Sequence, residues 1–92
     1  MKTKTVKLGG RRWRLRYVPR LGDSWGECDP PTASRKEIRI SREVAGEKEL
    51  EILIHEMLHA LNWTHDETHV EQSAVDIART LWRIGFRKLG DE

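Results

Sequence analysis

His55 and His59 stand four residues apart, with Glu56 directly after the first, in the pentapeptide His55-Glu56-Met57-Leu58-His59. On a helix, residues four apart leave the same face one turn above the other, so both imidazoles can grip one Zn²⁺. Glu56 then sits where it can take a proton from metal-bound water. The pattern predicts a zinc hydrolase, with peptide bonds as the first substrate to consider. An ordinary amphipathic helix with two polar-face histidines is the plain alternative.

A catalytic zinc takes three protein ligands and keeps a fourth position for water. Two residues compete for the third place. The metal should sit level with residue 57, midway between the histidines. If the chain reverses near residue 64, the same height on a returning helix falls at Glu71, since both helices rise about 1.5 Å per residue. His65 is the alternative third ligand, but it sits at the reversal, roughly 10 Å along the axis from that level.

These residues need a helix and a partner to hold them. Leu50, Leu53, Ile54, Met57, Leu58 and Leu61 form the buried stripe of a first helix that starts after Gly46 and ends near Asn62. Glu47, Glu49 and Glu51 suit the positive end of its dipole. Asn62 tolerates a left-handed C-cap. Thr64 and Glu67 fit a capping box that opens a second helix running to about Ile84, where Gly85 stops it. Val70, Ala74, Ile77, Leu81 and Ile84 give that helix one apolar face. In this reading Asp66 and Glu67 serve as capping and dipole residues.

Upstream, residues 3–8 alternate, Gly9-Gly10 suits a two-residue turn needing positive φ, and Trp13, Leu15 and Tyr17 alternate with Arg12, Arg14 and Arg16. This predicts a β-hairpin ended by Pro19. Residues 20–35 read as loop with a short strand near Trp25. Residues 36–41 read as a third strand with Ile38 and Ile40 facing the core. The expected fold is α+β: one domain over residues 1–92, with a small antiparallel sheet of about three strands followed by two antiparallel helices.

Charged residues make up 35% of the 92 and hydrophobic residues 37%, so the core must be thin. A metal site absent from the unfolded chain would add its binding energy to folding. The single cysteine, Cys28, excludes an internal disulfide and reads as a partly buried or loop thiol. No apolar run approaches the roughly 20 residues that span a bilayer. Residues 1–5 lack the apolar stretch of a signal peptide. The expectation is a cytoplasmic protein without a membrane partner. Net charge is only +2, yet Lys2, Lys4, Lys7, Arg11, Arg12, Arg14, Arg16 and Arg20 crowd the first 20 residues without one acid. Such asymmetry can mark a weak nucleic-acid contact through the basic hairpin. A solvated hairpin face is the plainer reading.

The order strand, HExxH helix, tight turn, second helix with Glu71 resembles a reduced, gluzincin-type zincin metallopeptidase. Small phage- and bacterium-encoded proteins of this form exist, some closing with Trp-Arg-x-Gly as Trp82-Arg83-Ile84-Gly85 does here. The resemblance covers roughly residues 36–86 and implies a minimal zincin-like fold, a Zn²⁺ cofactor, and a peptide or protein substrate. Metal ligands would be His55, His59 and Glu71, and the catalytic residue Glu56. The spacing His-x3-His-x5-His through His65 also resembles the metzincin motif HExxHxxGxxH. Asn62 replaces its glycine, and no methionine follows Leu58 to supply the methionine turn. It further resembles YbeY-type endoribonucleases, which read HGxLHxxGxDH and have glycine where this chain has Glu56. A metal-dependent endoribonuclease is therefore the runner-up. A non-catalytic module stapled by zinc through His55, His59, His65 and Glu71 is the third reading.

In the leading reading Glu56 is general base, and Tyr17, His65 or His69 supplies an oxyanion donor. Substrate would lie extended along the strand at residues 36–41. Trp13 and Trp82 read as core, whereas Trp25 and Trp63, beside turns, could line a cleft. Asp76 could orient a ligand histidine, though a solvated helix face is commoner.

Overall fold

Gly9 and Gly10 turn strand β1 (Lys4–Leu8) back onto β2 (Arg11–Val18), with φ of 61° and 76°. Two consecutive positive φ values make the tight hairpin whose twist matches its strands, and glycine adopts them without steric cost. The computed structural model describes residues 3–89. Met1, Lys2 of the basic run, and residues 90–92 lie outside the described residues.

The sheet has four strands in the order β1-β2-β4-β3, with β3 at Gly26–Cys28 and β4 at Glu37–Ser41. β4 runs parallel to β2, pairing Leu15 with Ile38 and Tyr17 with Ile40. β3 lies antiparallel on its far side. The expected all-antiparallel sheet of about three strands is thus a mixed sheet of four. Alternation of apolar residues has the same period in both pairings, so it could not distinguish them. β4 is therefore internal, and β3, like β1, is an edge strand.

Helix α1 (Gly46–Leu61) packs on one face of this sheet. Trp13, Ile38, Ile40, Val44 and Ala60 are buried there, with Ile52, Leu53 and Met57 against them. Helix α2 (Glu67–Arg83) touches α1 through a second cluster of Ile54, Ala74 and Ala78, bordered by Leu50, Leu58 and Leu81. The buried run on α2 is Val70, Ala74, Ala78. Ile77 and Ile84 of the expected stripe stay exposed. Alanines at the seam let the two backbones approach closely and leave the bulkier Ile77 outside.

The α1–α2 turn corrects two local expectations. Asn62 caps α1 in an extended conformation, with φ of −149° rather than a left-handed one, and its N–H reaches Leu58 O. Asp66, not Thr64, is the N-cap of α2: its carboxylate accepts from His69 N at 3.0 Å. Aspartate is at least as good a cap as threonine. Its use there frees Glu67 from capping. At the other end Ile84 caps the helix and Gly85 leaves it with φ of 100°.

Arg39 anchors the edge strand. From β4 its guanidinium reaches Glu27 and Asp29 at the β3 side, and Glu37 on its own strand. Its hydrogen bond holds the Asp29 carboxyl below the usual carboxylate range. Gly26 lets β3 lie directly on α1. A Cβ there would stand 2.6 Å from Ile52 Cγ2 and 2.9 Å from Glu56 Oε2. We expect Gly26→Ala to lose about 1–3 kcal/mol of stability, as overpacking does, read as a lower urea midpoint. An unchanged midpoint would mean that β3 and α1 separate freely.

Candidate metal centre

His55 and His59 project from successive turns of α1, and their Nε2 atoms lie 3.2 Å apart. Glu67, the first residue of α2, straddles them. Its Oε1 is 2.9 Å from His55 Nε2 and its Oε2 is 3.0 Å from His59 Nε2. Donors held by a tetrahedral zinc stand about 3.4 Å apart, given metal–donor lengths near 2.1 Å. The three groups therefore already converge to within a few tenths of an ångström of that spacing. Two imidazole nitrogens and a carboxylate are also the donor types zinc takes at catalytic sites. Three donors leave one tetrahedral position open.

The expected third ligand is Glu71, but it is Glu67 whose carboxylate lies against the two histidines. Matching heights along the helices fixed only the axial coordinate. Facing direction matters as much. At 3.6 residues per turn, Val70, Ala74 and Ala78 define a buried face from whose centre Glu67 lies about 20° and Glu71 about 60°. Glu71 is solvent-exposed and lies outside the His55–His59–Glu67 group, the one metal-competent cluster among the described residues. The alternative ligand, His65, also lies outside that cluster, with its ring 4.9 Å from that of His69.

Comparison with known protein families, curated proteins and solved structures gives no match. The site is therefore read on its own chemistry. Glu56 points from α1 under β3 and is only 8% exposed. Burial, then the nearby carboxylates of Glu67 and Glu27, push its carboxyl up to about 7. A cation between the histidines would offset the Glu67 contribution and draw that value down. A general base serves best with a pKa near the working pH.

A cleft of about 330 Å³ opens beside these groups, lined by Cys28, Glu56, His59, Trp63, His65 and Glu67. Trp63 is 44% exposed and sets its ring edge-on to His59, 6.1 Å between centroids. Burial pushes the Cys28 thiol up to about 12, so it stands as a neutral thiol on the cleft wall.

Other expected participants fall elsewhere. Tyr17 OH donates to Glu49 Oε2 at 2.8 Å and lines a separate cavity of about 530 Å³ with Leu50, Leu53 and Trp82. Of the three oxyanion candidates, His65 lines the cleft, while His69 is exposed near Ser73. Asp76 accepts from Gln72 on the outer face of α2. Trp25 lies under Lys48, and Trp82 under Arg87, whose guanidinium is 3.4 Å from the ring centroid. No helix among the described residues is long and apolar enough to cross a membrane.

Proposed function

We propose that this protein is a small zincin-like metallopeptidase that uses Zn²⁺ held by His55, His59 and Glu67, with Glu56 as general base. The convergence of two imidazole nitrogens and one carboxylate within 3.2 Å of one another, beside a buried glutamate, carries this reading. The bound ion would supply an acidified water and polarise the scissile carbonyl. Glu56 would take a proton from the attacking water and pass it to the leaving amine. His65 lines the same cleft and would donate to the carbonyl oxygen as negative charge develops there.

The expected substrate strand at residues 36–41 is internal, paired on both sides by β2 and β3. An extended peptide would instead add to β3, the sheet edge next to Glu56. Trp63 offers a flat apolar surface for one substrate side chain. A reducing, cytoplasmic setting suits a chain whose lone thiol sits beside the site.

The test is metal analysis of the purified protein together with hydrolysis of unstructured peptides. Zinc near one equivalent, and activity removed by a chelator and restored by zinc, supports the reading. A protein that carries no transition metal and takes up none would end it. Bound zinc with an undisplaceable fourth protein ligand, and no hydrolysis, would make the site a structural staple.

A further inference from the structure

The sheet has a second face, and no helix packs on it: both helices gather on the side of Trp13, Ile38 and Ile40. Strand pairing fixes what this open face carries. Lys7 stands opposite Arg12, Thr5 opposite Arg14, Arg14 beside Glu37, and Arg16 beside Arg39. The alternation that turns Trp13 and Leu15 inward turns Lys7, Arg12, Arg14 and Arg16 outward.

Two of these pairs are like-charged. Direct cross-strand repulsion opposes sheet formation, so Lys7 beside Arg12 and Arg16 beside Arg39 do not serve stability. Arg39 is compensated by Glu27, Asp29 and Glu37. Toward the hairpin the compensation runs out. Arg14 and Arg16 share Glu37 at 3.5 and 3.7 Å, and the buried Nε of Arg16 has no hydrogen-bond acceptor. Among the described residues, no carboxylate pairs with Lys7 or Arg12, both exposed.

We infer that this face binds the phosphate backbone of duplex nucleic acid, through Lys7, Arg12 and Arg14. Successive outward residues on a strand repeat at about 6.8 Å, close to the separation of neighbouring phosphates. Arginine forks match phosphate oxygens bidentately. The outward positions of β1, β2 and β4 carry no aromatic residue, so base stacking of the kind single strands need is missing. They carry no bulky apolar wedge either, which weighs against a lipid surface. A two-stranded β-ribbon is also a shape that a duplex groove admits. The face lies across the sheet from α1, so a bound duplex leaves the metal cleft open. The inference does not depend on the peptidase reading.

The test is fluorescence anisotropy of a labelled, mixed-sequence duplex against salt concentration, with the full-length protein. Three phosphate contacts predict a log–log slope of about −2.7, an affinity loss of about 40-fold between roughly 50 and 200 mM salt. In K7Q/R12Q/R14Q the slope should flatten by about 2.7, while the fold persists, since relief of the like-charged Lys7–Arg12 pair offsets the lost, exposed Arg14–Glu37 ion pair. The single variant R12Q, with a slope change of about 0.9, serves if the triple variant does not fold. A wild-type protein that ignores the duplex, variants that bind it as the wild type does, or binding confined to phosphatidylserine-containing vesicles would each overturn the inference.

Discussion

Zinc affinity is expected to fall by more than about 100-fold in Glu67→Gln and to stay unchanged in Glu71→Gln. The size follows from the residue's place: losing an outer hydrogen-bond partner of a metal ligand already costs roughly 10–100-fold, and Glu67 would supply one of the three inner donors of the proposed site. Its carboxylate oxygens lie 2.9 and 3.0 Å from the two ring nitrogens. Glutamine keeps the length but removes the charge that favours a cation. Competition against a chelating dye measures the effect. Glu67 and Glu71 are one turn apart and differ by only about 40° around α2. A reversed result would mean that α2 is rotated by that angle and shifted by about one turn relative to α1.

Glu56→Gln should separate binding from turnover. The amide has nearly the same shape and sits where burial already favours a neutral group, so zinc content should hold. Peptide hydrolysis should drop by about 10²–10⁴-fold, the usual contribution of a positioned general base. Loss of both zinc and activity would make Glu56 a structural residue. The same variant has a signature in the metal-free protein. There the folded carboxyl titrates near 7 against an ordinary 4.5, so the folded state holds the proton more tightly than the unfolded chain. Stability from this group is complete below about pH 4.5 and declines as pH rises through about 7. The shift corresponds to a loss of ~3 kcal/mol. Urea unfolding in chelator, at pH values on either side of that window, should show the decline in wild type and not in Glu56→Gln.

The parts legible in the sequence are those set by local chemistry. Gly9-Gly10 predicted its turn because two positive φ values leave little choice. The inward set Trp13, Ile38 and Ile40 followed from alternation, and the histidine face of α1 from helical spacing. What escaped was set by geometry between elements. Parallel and antiparallel neighbours share one alternation, so the insertion of β4 between β2 and β3 left no mark on residues 36–41. Glu67 was assigned to a capping box because Thr64 lies three residues before it. Asp66 and His69 offered the same spacing with an equally good cap, and that signal would have released Glu67 toward the histidines. Tyr17 entered as an oxyanion donor on residue type alone, and its hydroxyl belongs to Glu49 instead.

The three converging donors all fall between residues 55 and 67, on two helices joined by a short turn, whereas the strand covering Glu56 lies about thirty residues upstream. Closing so short a loop costs little chain entropy. An incompletely folded chain could therefore capture an ion with its helical hairpin alone, before the sheet exists. Affinity for the unfolded ensemble subtracts from the stabilisation that a ligand confers. Ion capture would then be an early and inexpensive event. The sheltered environment of the acid would be a late one, arriving only when the whole chain has assembled.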